Sequence, residues 1–135
     1  MSYEELTHTA DVKIRACAAT QDALFSEACQ ALMQVMYGGD RQGGTRRVID
    51  ISASDRESLL CDFLSEVLYV SEVDGLVFRY ADVCLDGMHL HAVLDGEPFD
   101  QARHNMGTEV KGISYSGMSI TESTKGYMLD ILFDV

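Results

Sequence analysis

The chain has no tryptophan, a single proline, and ten lysine and arginine residues against 22 acidic ones, for a formal net charge of −12. That shortage of positive charge excludes direct binding to a nucleic-acid backbone, which demands a basic face. It fits a protein that meets a cation or a basic partner surface, or one whose acidity serves solubility alone. No apolar run approaches the roughly 18 residues of a membrane span, and no basic-then-apolar leader opens the sequence. A soluble, cytoplasmic protein with no membrane partner is therefore expected. Cys17, Cys29, Cys61 and Cys84 lack CxxC spacing and fall inside predicted strands and helices. They read as small buried apolar residues in a reducing compartment, not as a disulfide frame or a zinc knuckle. Also missing are a GxxxxGKS/T phosphate loop, a GxSxG elbow and an HExxH helix, so no catalytic constellation is visible.

What is present is an apolar fraction of 47% over 135 residues, enough for one folded domain spanning 1–135 with a real core. Val12, Ile14, Ala16 and Ala18 alternate with Lys13, Arg15 and Cys17, the period of a half-buried strand. Thr20 is placed as an N-cap, with Asp22 in the first turn, and Leu24, Phe25, Ala28, Ala31, Leu32, Val35 and Met36 follow at helical spacing. Gly38-Gly39 ends that helix. Val48–Ala53 reads as a strand, and Ser54-Asp55-Arg56-Glu57 has the form of a capping box before a second helix with Leu59, Leu60, Phe63, Leu64, Val67 and Leu68 on its core face.

Beyond Gly75 the pattern changes to hairpins. One runs from Leu76 to Leu85, turns at Asp86-Gly87 and returns from Met88 to Leu94. Asp95-Gly96-Glu97-Pro98 reads as a break and Phe99–Thr108 as an ordered loop. Strands return at Lys111–Tyr115, Gly117–Glu122 and Tyr127–Val135, with Ser123-Thr124-Lys125-Gly126 as the last turn. The order implies an α+β fold, two helices packed on mainly antiparallel sheet, with a faint duplication because strand material follows each helix.

The candidate site comes from the two ends of the chain. If the strand after Asp11 pairs with the last one, backbones about 4.8 Å apart bring Asp11, Asp134 and the terminal carboxylate of Val135 together. Such groups repel unless a cation joins them, and all-oxygen ligation suits Mg²⁺, Ca²⁺ or Mn²⁺. An acidic pair that caps a sheet edge against strand addition is the competing account. Lys111 is a scarce positive charge, suited to a phosphate or partner carboxylate, or to an ordinary ion pair with Glu109 or Glu122. His8 reads as a ligand's hydrogen-bond partner or a turn contact, and His104 as a loop anchor or a partner contact. His89 and His91 share a strand face, a spacing open to a transition metal, but with no supporting Cys or carboxylate in sequence they read as a solvated face.

Taken in order, Tyr3-Glu4, His8-Thr9-Ala10-Asp11-Val12, Leu59–Tyr69, Gly75-Leu76-Val77-Phe78, Gly96-Glu97, His104, Glu109–Tyr115 and Phe133-Asp134-Val135 resemble the archease family over essentially the whole chain. The resemblance implies one strand-helix-strand-strand unit inserted in another, the inserted subdomain covering roughly 55–95. It implies an accessory protein, not an enzyme: a transient partner of an RtcB-type RNA ligase in tRNA splicing or RNA repair. Such a protein helps the ligase take guanylate from GTP and turn over repeatedly. It also places the family's metal ligands on Asp11, Asp134 and Val135 and a functional lysine on Lys111. Two departures stand out. Ser114-Tyr115-Ser116 lies where Thr-Tyr-His is common, which removes an imidazole, and Tyr127 stands where a tryptophan is common. A stand-alone metal-dependent phosphoesterase using the same acids, or a general chaperone of nucleic-acid enzymes, are the alternatives in other classes.

Overall fold

The computed structural model describes residues 11–105 and 107–135. In chain order it contains β1 (Val12–Ala18), α1 (Gln21–Tyr37), β2 (Thr45–Ser52), α2 (Arg56–Asp74), β3 (Leu76–Asp86), β4 (His89–Pro98), α3 (Gln101–His104), β5 (Gly112–Ser123) and β6 (Gly126–Asp134). The α+β expectation holds, with the antiparallel sheet divided in two: three strands in the order β1-β6-β5 and three in the order β2-β4-β3.

Local chemistry sets the helix ends. Extended backbone at Thr20 lets its hydroxyl accept from the Ala23 N–H at 3.2 Å, and Gly38, at φ 83°, closes α1 by donating to the Gln34 carbonyl. The cap of α2 is Asp55 and not Ser54. Its carboxylate accepts from the Ser58 N–H at 2.8 Å, which also holds its pKa below the usual carboxylate value. An ionised acceptor at the positive end of the helix outcompetes the neighbouring hydroxyl. Gly75 ends α2 in the left-handed region that favours glycine, at φ 64°.

Two strand-helix-strand-strand units emerge, β1-α1-β5-β6 and β2-α2-β3-β4, the second lying within the first between Thr45 and Pro98. In each, the last strand is central, flanked by the first and the second. α1 packs most extensively on β3 and α2 on β5, so each helix leans chiefly on a strand of the other unit. The buried Ser26 hydroxyl donates to the Ala81 carbonyl at 2.7 Å, and the Cys61 thiol points to the Ile113 carbonyl at 3.8 Å. These two residues sit at matching places, each six beyond its helix cap. One core joins both units, built on Phe25, Phe63, Phe78 and Phe133 with the leucines of both helices.

Four expectations need correction. Asp95–Pro98 is not a break, because β4 continues through it. Gly96 permits this: a Cβ there would collide with the Val77 carbonyl oxygen, beside the irregularity at Arg79 in β3. β5 is one strand, not two. Ser114 pairs with Leu132 and Ser119 with Asp130, so the residues between them bulge out. The loop after Pro98 holds the single turn of α3. Finally, Cys17 and Cys84 are exposed on the strands, whereas Cys29 is buried and Cys61 half-buried; all four thiols are free.

Candidate functional site

The central position of β6 is what assembles the predicted site. Leu129, Ile131 and Phe133 are fully buried and Val135 packs against the same core, so the end of the chain described is fastened by alternate apolar side chains. Asp134 lies between them on the opposite, exposed side. On one flank Val12 pairs with Phe133, which sets Asp11 opposite Asp134 one residue further along; Asp11 is exposed, in phase with Lys13 and Arg15. On the other flank Asp134 pairs with Gly112, and the place of a side chain there is open space. The Lys111 N–H donates to the Asp134 carbonyl at 2.6 Å, and the Lys111 side chain is exposed.

Two carboxylates on adjacent strands, on one face, beside an unfilled position make an all-oxygen donor set that fits a hard divalent cation. Among the described residues no three His, Cys, Asp or Glu side chains are arranged around a common ion position. Asp11 and Asp134 are the two carboxylates of the predicted set that the register brings opposite each other. His8 lies outside the described residues.

His104 is 1% exposed. Its Nδ1 accepts from the Asp100 N–H at 2.8 Å, which leaves Nε2 to donate to Glu97 at 3.1 Å. Both nitrogens are thus engaged within the fold, the geometry of a loop anchor. Glu97 also receives Arg103 and the Gln42 N–H, and the Arg103 guanidinium, first among these partners, holds its pKa below the usual value. This cluster ties the α1–β2 loop to α3.

His89 and His91 do share the exposed face of β4, and cross-strand pairing supplies what the local sequence does not display. The Asp50 carboxylate lies between the two imidazoles, at 3.0 Å from His91 Nδ1, while Ser52 Oγ meets His89 Nδ1 at 2.7 Å. Hydrogen bonding to His91, then the charge of the two rings, lowers the Asp50 pKa.

Sequence reasoning also overlooked Arg41. It is 9% exposed, donates to the Phe78 carbonyl at 2.8 Å, to Gln30 at 2.7 Å and to the Gly38 carbonyl, and meets no carboxylate among the described residues. The only sequence signal was its place just after a helix that carries no basic residue in its last turn.

No described helix is long and apolar enough to cross a membrane. The Archease protein family matches residues 3–135. The archease of Methanosarcina barkeri is 34% identical over 141 residues, covering 98% of this chain and 95% of that one. The archease of Methanopyrus kandleri is 31% identical across the full length of both, and an archease-like protein of Drosophila melanogaster is 31% identical over all of this chain and 91% of its own. Two solved structures share the fold. The solution structure of Methanobacterium thermoautotrophicum protein 1598 superposes with a TM-score of 0.75 at 22% identity over 96% of each chain. The crystal structure of a Thermotoga maritima archease, described as a possible chaperone, gives 0.71 at 14% identity over 100% of this chain and 98% of that one. With a family match over nearly its whole length, the chain belongs to the archease family.

Proposed function

We propose that this chain is an accessory protein of an RtcB-type RNA ligase, promoting guanylylation of the ligase by GTP and its repeated turnover in tRNA splicing or RNA repair. The observation that carries this reading is the β1-β6-β5 register, which sets Asp11 opposite Asp134 with Lys111 fastened to the Asp134 backbone. Asp11, Asp134 and the Val135 carboxylate would hold a divalent ion, Ca²⁺, Mg²⁺ or Mn²⁺. Such an ion, when bound, supplies positive charge suited to triphosphate oxygens. Around it this chain contributes exposed carboxylates on a fixed sheet end and the Lys111 ammonium, which suits a phosphate or a carboxylate of the ligase. The net charge of −12 supports leaving the RNA to the ligase.

The experiment is RNA ligation by the cognate ligase under multiple turnover, with GTP and Mn²⁺ and with this protein at substoichiometric amounts. Many products per ligase only when the protein is added supports the reading, and no stimulation of a ligase competent for one turnover refutes it. A general chaperone role is a second reading, favoured by the description of the Thermotoga maritima relative as a possible chaperone. Capture of many unrelated enzymes with equal efficiency would favour it over a dedicated ligase partner.

A further inference from the structure

We propose that the cleft between the last turn of α1 and the segment around α3 receives an arginine side chain of a partner protein. Its walls are aromatic. Phe99 is 44% exposed although its ring lies tilted against Tyr37, at 5.8 Å and 56°, and against His104, at 5.8 Å and 42°. A large ring held at the surface between two others is not there to fill the core.

Each wall is fixed in advance. The Phe99 N–H donates to the Gly75 carbonyl at 2.8 Å, and His104 is held through both nitrogens. The Tyr37 hydroxyl meets Ser71 Oγ at 2.7 Å, and because that hydroxyl donates to the Leu76 carbonyl, Tyr37 is the donor to Ser71. The floor is equally set. The Thr108 N–H donates to the Val35 carbonyl at 2.8 Å, and a Cβ at Gly107 would collide with the Met36 carbonyl oxygen. Little ordering is left to accompany binding.

The rim defines the ligand's charge. Glu72 and Glu109 line the cleft from α2 and from the approach to β5, and both are exposed. Neither takes part in an ion pair among the described residues. Arg103, on α3, is committed to Glu97, Asp100 and Asp40 and does not serve them. Aromatic faces with carboxylates at the edge attract a cation that is itself flat and weakly hydrated. A guanidinium satisfies both, stacking on a ring while forking to a carboxylate, whereas an ammonium is compact and strongly hydrated. An acidic or purely apolar ligand would leave the two carboxylates facing it unmatched. A basic partner is also the one that a protein of net charge −12 attracts at long range.

The inference names a side chain and not a protein, so it stands or falls apart from the ligase reading. The probe is a capped Gly-Arg-Gly peptide titrated into the full chain by ¹H–¹⁵N NMR, beside its lysine and citrulline counterparts. Citrulline keeps the shape of arginine and removes the charge. Saturable shifts confined to Phe99, Gly107, Thr108 and Glu109, strongest for arginine and absent for citrulline, are expected. The double variant Glu72→Gln with Glu109→Gln, both exposed, should weaken binding about tenfold or more. Phe99→Leu, which keeps apolar volume without the π face, should weaken it while the remaining spectrum stays unchanged. Absence of saturable binding, equal response to citrulline, shifts spread over the whole acidic surface, or full binding by the Gln double variant would each overturn the proposal.

Discussion

The Lys111 N–H and the Asp134 carbonyl are joined at 2.6 Å, one step beyond the last β5–β6 pair at Gly112 and Asp134. The bond holds the approach to β5 against the end of the central strand. The side chains of both residues remain exposed, and among the described residues they form no ion pair with each other. This backbone contact holds the main chain of Lys111 beside that of Asp134 while both side chains stay exposed.

The Asp134→Asn variant should lose affinity for Mn²⁺, Mg²⁺ or Ca²⁺ by at least about tenfold. Outer partners of metal ligands already cost 10–100-fold, roughly, and a direct ligand should cost no less. Its unfolding free energy from urea denaturation should stay within about 0.5 kcal/mol of the parent, since an exposed side chain packs little. Calorimetric titration of both proteins with each metal decides it, and unchanged affinity would remove the ion from this end of the sheet. Asp11→Asn should behave in the same way.

How far the sequence discloses this arrangement depends on whether the signal is local. Alternation of Leu129, Ile131 and Phe133 with Asp130 and Asp134 marks β6 directly, and Thr20 marks the start of α1. The same alternation already placed Cys17 outward with Lys13 and Arg15, so reading it as buried followed residue type over position. Gly96 and Pro98 carry turn chemistry, yet pairing with β3 keeps them in a strand: tertiary contact overrides local preference. Asp50 with His89 and His91, Arg41 with Phe78, and Gln42 with Glu97 are brought together by sheet pairing and loop closure across 37–55 residues, and no local pattern announces them.

Removing the guanidinium in Arg41→Met should destabilise the fold by about 2–4 kcal/mol. The substitution leaves the Phe78 and Gly38 carbonyls without their donor, at about 1–3 kcal/mol for each buried group. It also deprives the C-terminal end of α1 of its positive charge. Burial lowers the Arg41 pKa, but a guanidinium keeps its proton in proteins, so the cost should be independent of pH between 6 and 9. Equilibrium urea denaturation measures it, and a loss below about 0.5 kcal/mol would show that the side chain is not the cap its bonds describe.

Thiol reactivity should divide the four cysteines by burial. The Cys29 thiol is fully buried and pushed up to about 12, so it carries almost no thiolate at pH 8. Burial also raises Cys61, less strongly, while Cys17 and Cys84 are exposed. An aromatic disulfide reagent at pH 8 should modify Cys17 and Cys84 quickly, Cys61 more slowly, and Cys29 only after denaturant is added. Mass spectrometry of the modified peptides identifies each, and early modification of Cys29 would contradict the packing of α1.

Acid should loosen the α3 cluster through Glu97. Its folded pKa lies below the ordinary value of 4.5, with the Arg103 hydrogen bond as the largest cause and the Gln42 N–H and His104 adding to it. Where a carboxylate is more acidic folded than unfolded, the unfolded chain binds more protons between the two values, so stability rises with pH across that window. The Glu97 contribution is therefore complete above the unfolded value and disappears as pH falls through the lower, folded one. Glu97→Gln should flatten the dependence of the urea midpoint on pH below about 4.5 while lowering stability at pH 7. Asp50, Asp55, Asp95, Asp100 and Asp130 are depressed in the same direction, so a residual slope should persist in the variant. A variant whose slope matches the parent would show that the Arg103–Glu97–His104 arrangement contributes nothing to acid sensitivity.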